Sequence, residues 1–266
     1  MGLSFCSFSS GSSGNCYLIK NKNTAILVDA GISCKRILMG LEKVETGKEE
    51  VAAIFVTHEH GDHISALATL GKRMPNVPMY ANEATWENIK ADISAYNKRI
   101  MEPGESVKIA DIEVKAYATS HDSVKAQAYS FSCEGKKIAI VTDTGCVTDE
   151  IFANVIDADM IILEANYEEE VLLLGKYPYF LKHRILGEHG HLSNVAAAEV
   201  ITRIMKTNKA GRVRRVFLAH LSKENNMPEL AYQTVVNCLE EEGIYIGEEL
   251  KLSILLRDCI SDYYTI

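Results

Sequence analysis

Short apolar runs alternate along the chain with longer segments in which apolar residues recur every three or four positions. The short runs predict β-strands, which lie at residues 15–19, 24–28, 51–56, 112–118, 126–133, 137–141, 160–163, 215–218 and 252–256. The longer amphipathic segments predict helices, at residues 64–72, 84–95, 148–154, 194–206 and 228–242. This order places the chain in the α/β (α+β) class and predicts two sheets with helices packed outside them.

Composition and charge narrow the class of protein. No repeat, low-complexity tract or proline-rich linker divides the sequence, so we expect a single domain over residues 1–266. A formal net charge of −8 disfavours a non-specific polyanion binder. The chain has no apolar run of the roughly 18 residues that a membrane helix needs, and no basic secretory signal. Its seven scattered cysteines are typical of reduced thiols. We therefore expect a cytoplasmic protein with no membrane segment.

Residues of metal-binding type follow five of the predicted strands. Each lies within three residues of the end of an apolar run, at Asp29, His58, His121, Asp143 and His220. A polar residue at one strand end can simply begin a loop, but five His or Asp residues in this position are hard to attribute to loop composition. Because α/β sheets commonly place ligands at the carboxyl ends of their strands, we expect a site there.

Four metal-binding side chains form an H-x-H-x-D-H motif, at His58, His60, Asp62 and His63. Such a cluster beside a buried strand is costly to desolvate unless the side chains coordinate something. A solvated polar turn is the alternative reading. We expect a turn forced by Gly61, with His58 and His60 directed at one ion and Asp62 and His63 at its neighbour.

These motifs, in this order, resemble the metallo-β-lactamase superfamily over nearly the whole chain. The resemblance implies a four-layer αββα sandwich with a two-metal site at the shared edge of the sheets. One implied ligand set is His58, His60, His121 and Asp143, and the other is Asp62, His63, Asp143 and His220. Asp29 is implied to orient a ligand histidine or Asp62. Zn²⁺ and Mn²⁺ suit such a site, and Fe²⁺ is also possible.

Three further segments resemble the small bacterial YycJ/WalJ branch of this superfamily. They are residues 10–15, with the sequence Ser-Gly-Ser-Ser-Gly-Asn, residues 177–185, and residues 190–194. That branch is associated with 5′-to-3′ exonuclease activity on DNA. The resemblance therefore implies a metal-dependent hydrolase, a phosphodiesterase with DNA as substrate. It implies nothing about protein partners.

Two segments are predicted to contact the substrate. The first is a serine- and glycine-rich loop whose N–H groups and side chains suit an anion, at Ser10, Ser12, Ser13 and Asn15. The second, residues 177–191, has no evident strand or helix pattern and interleaves aromatic residues with Lys182 and Arg184, as stacking on bases and contact with phosphate require. Ser193 is predicted to cap a helix whose N-terminus, with Asn194, suits a phosphate. For the serine- and glycine-rich loop the alternative is a flexible lead-in to a hairpin, and for residues 177–191 it is an ordinary surface loop.

A basic segment at residues 206–215 looks at first like a nucleic-acid surface. Arg215, however, begins the strand that leads to His220, and five residues of strand span roughly 17 Å. We therefore predict a solvated connector there.

The leading hypothesis is attack on phosphorus by a metal-activated water. Asp62 is predicted to orient or deprotonate this water. His191 is predicted to stabilise the phosphoryl oxygens or to protonate the leaving group. Two alternatives stay open, namely a thioester, lactone or small-molecule phosphodiester hydrolase of the same fold, and a non-catalytic metal-binding regulator.

Overall fold

The structure is a computed structural model that describes residues 2–208, 215–247 and 250–266. Its strands, in chain order, are β1 (Ser4–Ser9), β2 (Cys16–Lys20), β3 (Ala25–Val28), β4 (Val51–Phe55), β5 (Met79–Ala81), β6 (Lys98–Ile100), β7 (Ser106–Ile109), β8 (Ile112–Ala118), β9 (Gln127–Cys133), β10 (Lys136–Val141), β11 (Met160–Glu164), β12 (Arg215–Ala219), β13 (Lys251–Ile254) and β14 (Tyr264–Thr265). Its helices are α1 (Cys34–Lys43), α2 (Gly61–Ile64), α3 (Leu67–Arg73), α4 (Glu83–Asn88), α5 (Asp149–Val155), α6 (Glu169–Leu174), α7 (Tyr179–Leu186), α8 (Asn194–Thr207) and α9 (Pro228–Glu241).

Within the described ranges, the strands form two mixed sheets of seven strands each. The first has the order β14-β1-β2-β3-β4-β5-β6 and the second the order β13-β12-β11-β10-β9-β8-β7. Strands β3 to β6 run parallel to one another, as do strands β10 to β13. The parallel strands bring their carboxyl ends to one edge of each sheet, where the metal-binding residues follow them.

Apolar side chains pack in three layers around the two sheets. In β3, Ile26 and Val28 face the core between the sheets, whereas Ala25 and Leu27 face the helices outside the first sheet. The second sheet is covered by α5, α8 and α9 through a separate apolar cluster. Strands buried on both faces read as continuous apolar runs, which is why the sequence predicts them well. The αββα sandwich is confirmed.

Several elements differ from the sequence-based prediction. The helix expected at 84–95 ends at Asn88, because Ile89 is extended; Ile89 and Ile93 are nevertheless buried, and their spacing resembled that of a helix. The helix expected at 64–72 is two helices, α2 and α3. Strand β1 was not predicted, because half of its residues are serines and it runs directly into the serine- and glycine-rich loop, although all six of its residues are buried.

The last described segment returns to the beginning of the chain. Strand β14 pairs antiparallel with β1, with Ser4 opposite Thr265. The Arg257 guanidinium donates a hydrogen bond to the carbonyl of Leu221 at 3.0 Å, and the Ser9 hydroxyl donates to the carbonyl of Arg257. This segment therefore ties β1 to the residue that follows His220.

Candidate metal centre

Three predicted site residues have left-handed backbone conformations at the ends of strands. Asp29, Asp143 and His220 have φ angles of 59°, 59° and 54°, and they follow β3, β10 and β12. For residues other than glycine this conformation is sparsely populated and costs about 1–3 kcal/mol, and it clusters at functional sites. Hydrogen bonds oppose the strain: the N–H of His220, for example, donates to the Ser10 hydroxyl at 2.9 Å.

The H-x-H-x-D-H loop leads from β4 into α2, and its turn is not made by Gly61. That prediction was wrong, because Gly61 has no positive φ and open space where a side chain would lie. The glycine that the loop requires is Gly31. A Cβ atom there would lie 1.5 Å from the carbonyl oxygen of Asp62, which also accepts the N–H of Asn15 at 2.8 Å.

The structure brings all seven predicted ligand side chains together. Two groups of three, each with ligand atoms within 4.8 Å of one another, are His58, His60 and His121, and Asp62, His63 and His220. In the first group His121 Nε2 lies 3.3 Å from His60 Nδ1. In the second, Asp62 Oδ2 lies 3.4 Å from His63 Nε2 and 3.5 Å from His220 Nε2.

The buried carboxylate of Asp143 lies between these two groups. Its Oδ1 is 3.7 Å from His121 Nε2, and its Oδ2 is 3.4 Å from His63 Nε2. Oδ1 also lies 3.1 Å from His220 Nδ1. Burial raises the pKa of Asp143, but the charges of His220 and His63 outweigh burial and hold it well below its usual range. The side chain is therefore ionised and faces both groups.

Hydrogen bonds on one side of each imidazole ring direct its other nitrogen towards the centre. Nδ1 of His63 donates to Asp29 at 2.8 Å, and Nδ1 of His121 donates to the carbonyl of Gly190 at 3.0 Å. Nδ1 of His58 lies 2.9 Å from the Thr57 hydroxyl. Such contacts fix the tautomer and orientation of metal-binding imidazoles. Asp29 thus contacts a histidine, one of the two partners expected for it.

Three buried atoms in the centre have no hydrogen-bond partner in the described part of the chain. They are His58 Nε2, Asp143 Oδ2 and His220 Nε2. Leaving a buried polar atom unpaired costs about 1–3 kcal/mol, so such atoms require an explanation. Imidazole nitrogen and carboxylate oxygen are ligands of Zn²⁺, Mn²⁺ and Fe²⁺. The donor set therefore fits divalent metal ions.

Sequence reasoning missed Glu164, which is fully buried at the end of β11. Its Oε1 accepts from His191 Nδ1 at 2.7 Å and lies 3.1 Å from His220 Nδ1. Burial raises the pKa of Glu164, but the charge and hydrogen bond of His191 outweigh it and lower the pKa to about 2. The signal was present, because Glu164 follows the apolar run 160–163 as the other site residues follow theirs.

His191 lies beside the centre and is half-buried. Its ring centroid is 5.0 Å from that of His121 and 5.4 Å from that of His220. Burial lowers the pKa of His191, but the charge of Glu164 and the hydrogen bond to it have the larger opposite effect and raise it. His191 is thus held by Glu164 at the edge of the centre.

The serine-rich loop contributes less to substrate contact than predicted. Ser10 and Asn15 are buried, so the prediction of substrate contact is wrong for both. The Ser10 hydroxyl accepts from the N–H of His220 and supports the centre from behind. Asn15 Nδ2 lies 3.1 Å from His63 Nε2, on the side of the ring that faces the centre. Ser12 and Ser13 are exposed, and Ser12 lines a cavity beside His191.

The predicted cap of α8 is confirmed, but it is not open to a substrate. The Ser193 hydroxyl accepts from the N–H of Ala196 at 3.1 Å. Asn194 is fully buried and donates to Glu168 at 2.8 Å. Because both side chains are engaged inside the protein, their predicted contact with substrate is wrong.

Residues 177–191 contain the helix α7, which the sequence did not predict. Its apolar spacing is obscured because the large side chains of Tyr179 and Phe180 are exposed. Lys182 donates to the carbonyl of Leu173 at 2.6 Å and does not line the cavity beside His191, so its contact with substrate stays a prediction. Arg184 does line that cavity and forms an ion pair with Asp122.

The basic segment is only partly described. Residues 209–214, with three of its cations, lie outside the described residues. Lys206 forms an ion pair with Glu242, and the Arg215 guanidinium lies 4.7 Å from the centroid of the Tyr264 ring.

The longest helices of the described ranges, α8 and α9, have 14 residues each, and none there has the length and apolar character to cross a membrane.

Comparison with known proteins identifies the class to which this fold and site belong. The chain belongs to the beta-lactamase superfamily, whose domain model, "Beta-lactamase superfamily domain", matches residues 24–221. The crystal structure of the metallo-beta-lactamase fold protein YhfI from Bacillus subtilis superposes with a TM-score of 0.72 at 14% identity, over 98% of this chain and 100% of that one.

Two curated relatives are similar over almost their whole length. Exodeoxyribonuclease WalJ of Streptococcus pneumoniae serotype 2 (strain D39 / NCTC 7466) is 38% identical over 257 residues, 95% of this chain and 94% of that protein. Exodeoxyribonuclease YycJ of Bacillus anthracis is 37% identical over 259 residues, 95% of each chain. The resemblance to the metallo-β-lactamase superfamily and its YycJ/WalJ branch is confirmed.

Proposed function

We propose that this chain is a metal-dependent exodeoxyribonuclease that hydrolyses phosphodiester bonds of DNA from the 5′ end. The observation that carries the proposal is the position of Asp143 between two groups of buried ligand atoms, which suits a pair of divalent ions. DNA as substrate is supported by the relatives WalJ and YycJ, both named exodeoxyribonucleases.

Two ions suit the centre better than one. Seven side chains converge there, at His58, His60, Asp62, His63, His121, Asp143 and His220. A single tetrahedral ion takes four ligands, and two groups of three that share a carboxylate complete two such shells. When bound, two divalent ions lower the pKa of water towards neutrality and offset the charge on phosphate oxygens.

Asp62 is the group placed to direct the attacking water. Its side chain is partly accessible, whereas those of Asp143 and Asp29 are buried. Burial raises the pKa of Asp62, but the charges of His63 and His220 outweigh it and lower the pKa. Asp62 is therefore ionised at neutral pH and can orient the water through its carboxylate.

His191 is the group placed to meet the leaving oxygen. Its Nδ1 is occupied by Glu164, so its Nε2 remains for the substrate. A proton on that nitrogen can pass to the leaving oxygen or offset charge on the phosphoryl group. Glu164 acts here as a positioning residue, because it holds both His191 and His220.

The test is a time course on duplex DNA labelled at the 5′ or the 3′ end, with the protein loaded with Mn²⁺ or with Zn²⁺. We expect early release of the 5′ label as mononucleotide, with the 3′ label kept in long products. Hydrolysis of thioesters or lactones without cleavage of DNA would favour the alternative hydrolase. Inactivity on every substrate, with both metals loaded, would favour a non-catalytic regulator.

We further propose that residues 1–266 form one domain that acts in the cytoplasm. In support, all seven cysteines are free, as is usual for proteins of a reducing compartment.

A further inference from the structure

A cavity of about 180 Å³ lies between α7 and the metal centre. One wall carries His191 and Asp122, and Tyr177 and Arg184 line it as well. It has room for about six water molecules at roughly 30 Å³ each. That volume is below the roughly 300–1,000 Å³ of sites for drug-sized ligands, and it suits one terminal sugar–phosphate unit.

The cavity lies on the side of the centre where the leaving group must lie, an argument that rests on the proposed function. In that reaction a bond forms between water oxygen and phosphorus, and the bond from phosphorus to O3′ breaks. One water proton passes to Asp62, and His191 gives a proton to O3′. Because His191 lines the cavity, the fragment that bears O3′ enters it. A small cavity on this side admits the sugar and phosphate of a terminal nucleotide, and the end opposite O3′ of that nucleotide is its 5′ end.

The cation available in this cavity is already partnered. Arg184 forms an ion pair with Asp122, whose side chain is 23% exposed against 55% for Arg184. A ligand must compete with this carboxylate to reach the guanidinium. A terminal phosphomonoester carries a charge of about −1.5 to −2 at neutral pH and three acceptor oxygens. An internal diester carries a single negative charge, so it competes with Asp122 much less well.

We propose that this cavity binds the 5′-terminal phosphomonoester of DNA through Arg184, and that the larger charge of the monoester allows it to displace Asp122 where an internal diester does not. Arginine suits this task because its planar fork of donors matches two phosphate oxygens. Selection of a chain end then follows from the charge that its phosphate carries.

The test compares kcat/KM on duplexes that differ only in a 5′-phosphate or a 5′-hydroxyl. We expect the wild-type protein to prefer the phosphorylated end by about 10- to 100-fold, the usual effect of a hydrogen bond to a charged group. Arg184→Ala should bring this ratio close to one by raising KM for the phosphorylated end, and Arg184→Lys should retain part of it. Lys182→Ala is the matched control, because that cation lies on the same helix but donates to Leu173, and it should keep the ratio.

Asp122→Asn tests the competition itself. It should lower KM for the phosphorylated end and leave the ratio at least as large as in the wild type, because the monoester then reaches Arg184 without displacing a carboxylate. Metal content of each variant is measured alongside, since Asp122 Oδ1 lies 3.4 Å from His121 Nε2. An unchanged ratio in Arg184→Ala, or an equal loss in Lys182→Ala, would overturn the proposal. Degradation of both wild-type substrates at equal rates would overturn end selection and leave the nuclease function standing. No degradation of either by metal-loaded wild-type protein would overturn the nuclease function.

Discussion

Asp143 joins the two groups of ligand atoms through one carboxylate, since Oδ1 faces His121 and Oδ2 faces His63. We predict that Asp143→Ala abolishes hydrolysis and lowers bound metal from about two ions per chain to less than one. Metal analysis after dialysis measures this directly. Asp111→Ala is the control, because Asp111 precedes β8 at the end opposite His121, roughly 30 Å away. One ion kept at full affinity, with normal turnover, would contradict a shared role.

His191 offers a second prediction, because it lies beside the ligand groups but is held by Glu164. We expect His191→Ala to lower kcat on DNA by about 10²–10⁴-fold, the range for a positioned acid, with fold and metal content kept. A p-nitrophenyl phosphodiester, whose leaving group needs no proton, should lose less. His183→Ala is the control, because His183 is exposed on the same segment.

Equal losses on both substrates would instead indicate that His191 stabilises charge on the phosphoryl oxygens. Unchanged cleavage of DNA by folded, metal-loaded His191→Ala protein would remove it from the mechanism.

At the scale of single residues, the sequence predicted the metal-binding residues of the centre but not the residues that contact and support them. His58 and Asp143 could be found because metal-binding types follow buried strands. Ser10 and Asn15 were assigned to the substrate because polar residues in a glycine-rich loop are usually accessible. In the folded chain that loop is covered by Leu221 and Arg257, so both side chains point to other protein groups.

Among the elements, the loop after β3 sets the position of the H-x-H-x-D-H loop through Gly31. We predict that Gly31→Ala lowers metal affinity at least tenfold and lowers the melting temperature, because its methyl group would overlap the carbonyl of Asp62. Isothermal titration with Zn²⁺ or Mn²⁺, together with thermal unfolding, measures both effects.

Gly61→Ala provides the matched comparison, since nothing lies within 4 Å of the added carbon. We expect it to keep metal affinity and stability close to wild type. Equal losses in the two variants would show that the turn at Gly61, and not the contact at Gly31, fixes the loop.

Elements were predictable where apolar residues dominate the segment or recur with a regular period, and unpredictable where they do not. Strands β8 to β12 were found almost to the residue, because apolar residues dominate them. Helix α7 was missed because Tyr179 and Phe180 are exposed while Ile185 is buried, which hides the usual periodicity. Short strands such as β5 and β6 have three residues each, too few for a pattern.

For the whole molecule, we predict that metal ions stabilise the fold as well as the reaction. A ligand whose free concentration is 100 times its dissociation constant adds about 2.7 kcal/mol to the free energy of unfolding. In a chain of this size that raises the melting temperature by roughly 5–10 °C. Differential scanning calorimetry with and without a chelator tests this, with Asp143→Ala as the variant that should show little shift. An unchanged melting temperature in the wild-type protein would contradict it.

The arrangement of the two sheets could be predicted from the order of strands and helices, but the pairing of β14 with β1 at the edge of the first sheet could not. Strand β14 has two residues and pairs with β1 across a separation of 261 positions. No local pattern specifies such a pairing, because its stability comes from the edge that the rest of the sheet provides.

The pairing of β14 with β1 also affects when the protein becomes active during its synthesis. The contact of Arg257 with Leu221, and the pairing of β14 with β1, form only after residues 257–266 have emerged from the ribosome. We therefore expect ribosome-bound chains that stop before residue 257 to lack nuclease activity, which a comparison of stalled and released chains would measure. On this expectation, the order of translation keeps a potentially destructive hydrolase inactive until residues 257–266 have been made.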